Sequence, residues 1–362
     1  MSIIKRLVYK AVSVQIVFFA VLYITGLKPL YLMAQSNEIE FGQSEAIPLR
    51  NSLVMINAGG VNILASIGQD GILLADTNLE IYSEDIAEVI QKMFDEFDNG
   101  QSGSDMINAG VGGSETKSIT SLLFNTKTTR DYKQNIKYIV NTSSLPDRNG
   151  GNRFFATIPE VISSQSPDED ATMIVGHENL LLRVSGAIEG ADELPYEFWP
   201  SDVYYEAFTK LPWFNSESIQ IFHMPKAVSD GDSVIYFRNS DMIFSGDIFR
   251  TDQFPIIHVD KGGSIGGVIE ALNWIVDMSV PEYRAEGGTL IVPGHGRLSD
   301  ISDVAYYRDM LTIIRDRILD QKSKGRTLDE IINSSPSFDY DSRYGRDKSS
   351  INQFIEAVYL TI

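Results

Sequence analysis

Residues 142–152 read TSSLPDRNGGN and follow the apolar run IKYIVN at 136–141. A β-branched, aromatic run that breaks into Ser, Pro, Asp and Gly is a buried strand ending in a tight loop. Asp147 and Arg148 stand side by side in that loop, and it contains no histidine. The strands on either side decide what such a loop is for.

Upstream, SLVMINAGG, VNILASIG and GILLADT run from Ser52 to about Thr77. Apolar runs broken by Gly-Gly, Gln-Asp-Gly and Asp-Thr are strands joined by turns. A helix follows from about Ser83 to Phe97, with Ile86, Val89, Ile90 and Phe94 as its apolar face. Residues 98–134 are rich in Gly, Ser and Thr and exceed most connections in compact domains; they read as a lid or a loose insertion. Downstream, ATMIVGH, SIQIFHM, SVIYFRN, DMIFSGD and GGTLIVPGHG are strands. Helices are expected at ENLLLRVS, at 265–278 after GGS, and at 303–321, with short helices over 326–362 ending in INQFIEAVYLTI. Two successive sets of strands with interspersed helices give an α/β sandwich, two sheets face to face with helices outside.

The composition sets limits on function. Net charge is −19, which disfavours nucleic acid and a polybasic grip on anionic lipid. There is no cysteine, so disulfides, thiolate zinc sites and thiol catalysis are excluded. Lys5, Arg6 and Lys10 precede an uncharged run from Ala11 to Leu27, and Lys28-Pro29 closes it. That pattern is a signal anchor or signal peptide over 1–35. Ala34 offers a cleavage site, but Leu32 is a poor residue two positions earlier, so an uncleaved anchor is favoured over secretion after cleavage. Positive charge before the segment places the rest outside the cytoplasm, periplasmic or extracytoplasmic. Residues 36–49 read as a linker, 50–300 as the sandwich domain, and 301–362 as a C-terminal helical extension.

GGVNILASIGQDGILLADTN, IKYIVNTSSLPDRNGGN, ATMIVGHEN, FHMPKAVSDGDSVIYF, FSGDIF and IVPGHG occur in this order. Together, over roughly 50–300, they resemble the metallo-β-lactamase superfamily. The resemblance implies an αββα sandwich with metals at one edge between the sheets. It also implies ligands, but only where this sequence keeps them. Against the family's T-H-x-H-x-D-H-x-G-G-N, the histidine positions hold Ser143, Leu145 and Arg148, and only Asp147 stays. The next expected histidine is Val228, ahead of an intact SDGD at 229–232. Asp247 matches the bridging carboxylate and His295 the late histidine.

The site that would need three histidines has Ser143, Leu145 and Val228, of which two cannot donate to a metal and serine is a poor zinc ligand. The second keeps Asp147, Asp247 and His295 and has Arg148 where a histidine is expected. Two carboxylates facing one cavity repel, so a guanidinium there supplies the missing positive charge through forked hydrogen bonds. Arg148 is therefore expected to stand in for the metal, with Asp147 and Asp247 as partners. The favoured reading is a pseudoenzyme without cofactor, a binding or scaffold subunit of a membrane-associated protein assembly. The alternative is a metal-dependent hydrolase with one surviving zinc or other divalent ion on Asp147, Asp247 and His295, joined by His258. In it Asp147 or Asp247 orients water towards a small ester, lactam, thioester or phosphoester. A third reading uses Leu145 and Val228 to line a vacant apolar cavity for a hydrophobic ligand with an acidic head. Ser143 and Ser144 lack the glycine-flanked elbow of a serine nucleophile, and His177 and His223 read as structural.

Overall fold

The computed structural model describes residues 44–98, 136–156, 171–188, 191, 193–280 and 287–362. Its chain opens with β1 (Glu45–Pro48), β2 (Leu53–Ala58), β3 (Val61–Gly68) and β4 (Gly71–Ala75), an antiparallel meander. In β2, Leu53 and Met55 point to one face and Val54 and Ile56 to the other, and all four are buried. A strand that is apolar on both faces needs cover on both sides.

One cover is α1 (Ser83–Asp98), which lays Ile86, Ile90 and Phe94 on Val54, Ile56 and Ile63. Beyond β4 the sheet continues in parallel through β5 (Ile136–Val140), β6 (Met173–His177) and β7 (Asp202–Tyr204) to seven strands. Between β5 and β6 lie the short helices α2 (Pro146–Asn149) and α3 (Asn152–Phe155); α4 (Glu178–Val184) follows β6. The other cover is a second sheet of β8 (Phe208–Lys210), β9 (Ile219–His223), β10 (Ser233–Phe237), β11 (Met242–Phe244) and β12 (Leu290–Val292). Its order is β12-β11-β10-β9-β8, antiparallel except between β11 and β12. Leu53, Leu64 and Leu73 meet Ile221, Ile235 and Phe244 in the core between the sheets.

The outer face of the second sheet, through Val234, Ile243 and Ile291, takes α5 (Ile265–Met278) and α6 (Ile301–Ser323). α6 buries Val304, Tyr307, Leu311, Ile314 and Ile318, the spacing of one helical face. α7 (Leu328–Asn333), α8 (Phe338–Tyr344) and α9 (Lys348–Thr361) add Ile331, Tyr344, Phe354 and Val358 to the same core. The C-terminal helices thus complete the fourth layer of the αββα sandwich.

Three short strands were not expected from the sequence. β1 falls in the stretch read as a linker, because a largely exposed edge strand carries no apolar alternation, and its Pro48 is tolerated only at an edge. β7 and β8 are three-residue edge strands with the same weak signal. The 1–35 anchor lies outside the described residues, as does 98–134 apart from Asp98. Among the described residues no helix is long and apolar enough to cross a membrane.

Ile314 is fully buried where α6 meets the outer core. Ile314→Ala is expected to lower the unfolding free energy by about 2–5 kcal/mol, read from the urea midpoint at unchanged slope.

Candidate functional site

β4 and β5 run parallel, as do β11 and β12, and the functional side chains leave from their C-terminal ends. Asp76 follows β4. Thr142 and the α2 loop follow β5. Asp247 sits in the 3-10 turn Gly246–Ile248 after β11, and His295 follows β12. This common rim is where parallel strands place their loops.

Arg148 of α2 is fully buried at the centre. Its Nε donates to Asp247 Oδ2 at 3.0 Å. Nη1 lies 3.4 Å from both Asp76 Oδ2 and Asn62 O. Nη2 lies 3.2 Å from Asp147 Oδ2, 3.3 Å from Gly294 O and 2.8 Å from His295 Nε2. The five N–H groups of the planar guanidinium thus face three carboxylates, two carbonyls and an imidazole. The close approach needs Gly294: a Cβ there would stand 2.8 Å from Nη1 and 2.6 Å from Gly246 O.

The backbone beneath is held as firmly. Thr77 N and Asn141 Nδ2 donate to Arg148 O at 3.0 and 3.1 Å. The Asn141 and Asn152 amides pair reciprocally at 2.7 and 3.1 Å, so the final Asn of the GGN stretch locks the loop to its strand. Asp76 adopts a left-handed φ of 64° and accepts from Thr142 N and Oγ1, both at 2.7 Å. His295 Nε2 lies 3.0 Å from Asp147 Oδ2 and 3.3 Å from Asp247 Oδ1. Arg250 reaches Asp247 Oδ1 at 3.7 Å. Asp247 Oδ1 itself accepts no hydrogen bond and is faced by His295 and Arg250.

The electrostatics follow from crowding in a dry place. Burial pushes Asp76 up to about 7, although Arg148 and Thr142 pull it down. Burial pushes the same way on Asp247, but Arg148, His295 and Arg250 overcome it and hold the carboxyl well below its usual range. Asp147 is lowered too: burial opposes this, and the hydrogen bond from His295 and the charge of Arg148 win. Burial works against the charge on Arg148, yet Asp247, Asp76 and Asp147 raise its pKa further. Burial also opposes protonation of His295, and the nearby carboxylates of Asp147 and Asp247 raise it above the ordinary value. The Arg148 charge lies against Asp147 and Asp247, and Asp76, the most enclosed of the three acids, holds a proton most readily.

The structure brings together Asp147, Arg148, Asp247 and His295 of the sequence candidates. It adds Asp76 and Arg250, which the sequence did not single out. Asp76 is the next-to-last residue of GILLADT, where an acid after a strand reads as a turn residue. Ser143 is buried, and its Oγ accepts from Leu145 N at 3.3 Å. His258 is not among the gathered donor atoms; burial and Lys261 lower it. Leu145 and Val228, expected to line an apolar cavity, are buried in the outer core cluster with Ile257 and Ile265. His177 and His223 stack with centroids 3.5 Å apart. Burial and the neighbouring ring push His177 down to about 4, and burial lowers His223. In the SDGD loop, Asp230 pairs with Arg183 at 2.7 Å. Asp232 accepts from Ser229 N at 2.5 Å and from its Oγ at 3.0 Å.

Donor atoms of Asp147, Asp247 and His295 lie within 4.8 Å of one another, the spacing of a small metal site. The Arg148 guanidinium stands among them, with its Nη2 within 3.2 Å of both Asp147 and His295. The residues present therefore do not fit a divalent cation while Arg148 keeps this position. The other half of the family's ligand set holds Ser143, Leu145 and Val228, which supply no imidazole.

The four layers and the rim define the class: this chain has the metallo-β-lactamase fold. Among solved structures it is similar to a stereoselective inverting sec-alkylsulfatase from Pseudomonas sp., at 13% identity and a TM-score of 0.56. That match covers 87% of this chain and 50% of the alkylsulfatase, so the chain spans about half its length. It is also similar to a metallo-beta-lactamase from Pontibacter korlensis, at 13% identity and a TM-score of 0.46, covering 75% of this chain and 99% of that one. No protein-family model and no curated protein matches the chain.

Arg148→Ala would leave Asp76 and Asp247 buried without their common cation. It is expected to cost roughly 3–5 kcal/mol of stability in urea unfolding. The pH dependence has a definite sign. Asp76 is raised in the folded state, so its ionisation costs stability as pH climbs from its ordinary 3.8 to about 7. His295 is also raised, so its contribution is complete below its ordinary 6.5 and is lost as pH rises through the folded value. Asp147 and Asp247 are lowered, so theirs is lost as pH falls below 3.8 through their folded values. Together these groups make stability greatest near pH 4 and lower towards pH 8; Asp232, also raised to about 7, adds to the decline, and His177, lowered to about 4, offsets part of it up to its ordinary 6.5. Asp76→Asn and His295→Ala should each flatten part of the decline in urea titrations.

Proposed function

We propose that this chain is a catalytically degenerate metallo-β-lactamase-fold protein in which Arg148 takes the place of the metal. It acts as a binding or scaffold subunit of a membrane-associated protein assembly, held on the extracytoplasmic side by residues 1–35. One observation carries the reading: the Arg148 guanidinium is fully buried and bonded to Asp76, Asp147 and Asp247 at once, with His295 Nε2 at 2.8 Å. Such a cation neutralises the carboxylates but cannot open a coordination position or lower the pKa of a bound water, the step on which metal-assisted hydrolysis rests. The basic flank and uncharged run at Ala11–Leu27 support the tether, and the net charge of −19 favours a protein partner over nucleic acid.

A second reading rests on the donor cluster of Asp147, Asp247 and His295. If Arg148 swings out, these three hold one divalent ion and the chain is a hydrolase of small esters, lactams, thioesters or phosphoesters.

Elemental mass spectrometry separates the two. The full-length chain, purified without chelator or affinity metal, should carry no zinc, iron or manganese above trace, including after incubation with excess zinc. About one equivalent of metal in the wild type, lost in His295→Ala, would establish the second reading instead.

A further inference from the structure

His177 ends β6 of the first sheet and His223 ends β9 of the second. Their rings stack with centroids 3.5 Å apart and planes 14° from parallel. This contact is one side of a closed ring. His177 Nδ1 accepts from Asn179 N at 3.2 Å and so caps α4. Asn179 Nδ2 donates to Asp230 O at 2.9 Å, and His223 Nε2 donates to the same carbonyl at 2.7 Å. Arg183 of α4 grips the Asp230 carboxylate through Nε and Nη2, at 2.7 and 2.8 Å. The ring thus ties β6 and α4 to β9 and the SDGD loop.

The ring has no place for another proton. Because Nδ1 of His177 accepts, the imidazole's own hydrogen is on Nε2, which is buried without a hydrogen-bond partner. A second proton enters at Nδ1, where it meets the N–H of Asn179. It also sets a buried charge against the face of His223. The groups that face the pair give little relief. Tyr204 of β7 lies edge-on to His177 at 5.0 Å, with its hydroxyl bonded to Ser233 Oγ. The Tyr205 backbone and Asp230 favour a charge on His177, but Arg183 already pairs with the Asp230 carboxylate. Burial, then His223, outweigh them and push His177 down to about 4. Burial lowers His223 as well, against the pull of Asp230.

We propose that this ring is a proton-operated clasp between the two sheets: a proton on His177 Nδ1 displaces Asn179 N, parts the two imidazoles and releases α4 from the SDGD loop. In the released form His177 regains its ordinary 6.5, so the clasp is complete above that pH and is lost as pH falls towards about 4. From pH 7.5 to pH 5 the released population rises roughly 30-fold. None of these residues belongs to the Arg148 cluster, so the clasp stands independently of the reading given to that cluster.

Hydrogen–deuterium exchange of the full-length chain in lipid nanodiscs tests it. Exchange is read by mass spectrometry at pH 7.5 and at pH 5 and corrected for the intrinsic pH dependence of amide exchange. Peptides covering α4 should lose roughly 30-fold of their protection at pH 5, while peptides covering β3 in the core lose none. His177→Asn keeps a side-chain oxygen for the N-cap and takes up no proton. Its α4 should be equally protected at both pH values. Unchanged α4 protection in the wild type, an equal loss in β3, or the same loss in His177→Asn would each overturn the proposal. Should the variant unfold α4, the wild-type contrast between α4 and β3 decides alone.

Discussion

A guanidinium does not stay in a dry interior without anions around it, and carboxylates do not crowd there without a cation. The rim of this fold satisfies both constraints with one residue. Asp76 comes from the first sheet, Asp247 from the second, and Arg148 from the loop between β5 and β6. The cluster therefore joins the two sheets at the end where their loops would otherwise part. Asn62 O and Gly294 O complete it with backbone from β3 and from the turn after β12.

A guanidinium at this place differs from an ion in more than charge. A divalent ion polarises whatever fills its open position, and it draws ligands from many directions. A guanidinium is planar, its donors are fixed in a fork, and here each faces protein atoms. Its charge is consumed in holding three carboxylates and presents no Lewis-acid face to a substrate. Leu145 and Val228 reinforce this, since positions that would carry imidazole into the cleft are part of the packed core.

Much of this was legible in the sequence, for physical reasons that differ from residue to residue. The buried strands announce themselves because both their faces are apolar, as in VNILASIG and GILLA. Asp147, Arg148, Asp247 and His295 are legible because each stands in a loop whose surrounding residues fix its place on the rim. Asp76 is not, because nothing local separates an acid that turns a chain from one that counters a cation 72 residues away. Arg250 is hidden in the same way; its pairing with Asp247 exists only once the turn after β11 has formed. β1, β7 and β8 escape notice because edge strands of three or four residues have one exposed side and too few positions for a period.

The loops that resemble a metal enzyme most closely turn out to have work that needs no metal. Asp232 folds the SDGD turn onto Ser229, and Asp230 joins that turn to Arg183, while its carbonyl meets His223 Nε2 at 2.7 Å. Gly294 of PGHG gives the guanidinium its room, and Asn152 of the GGN stretch pins the loop that carries Arg148. Each is needed for the rim to close whether an ion or an arginine sits inside it. The wording of these loops therefore reports the geometry of the backbone. The chemistry is reported by the few side chains that point into the centre, and there Arg148 takes the space that a metal would need.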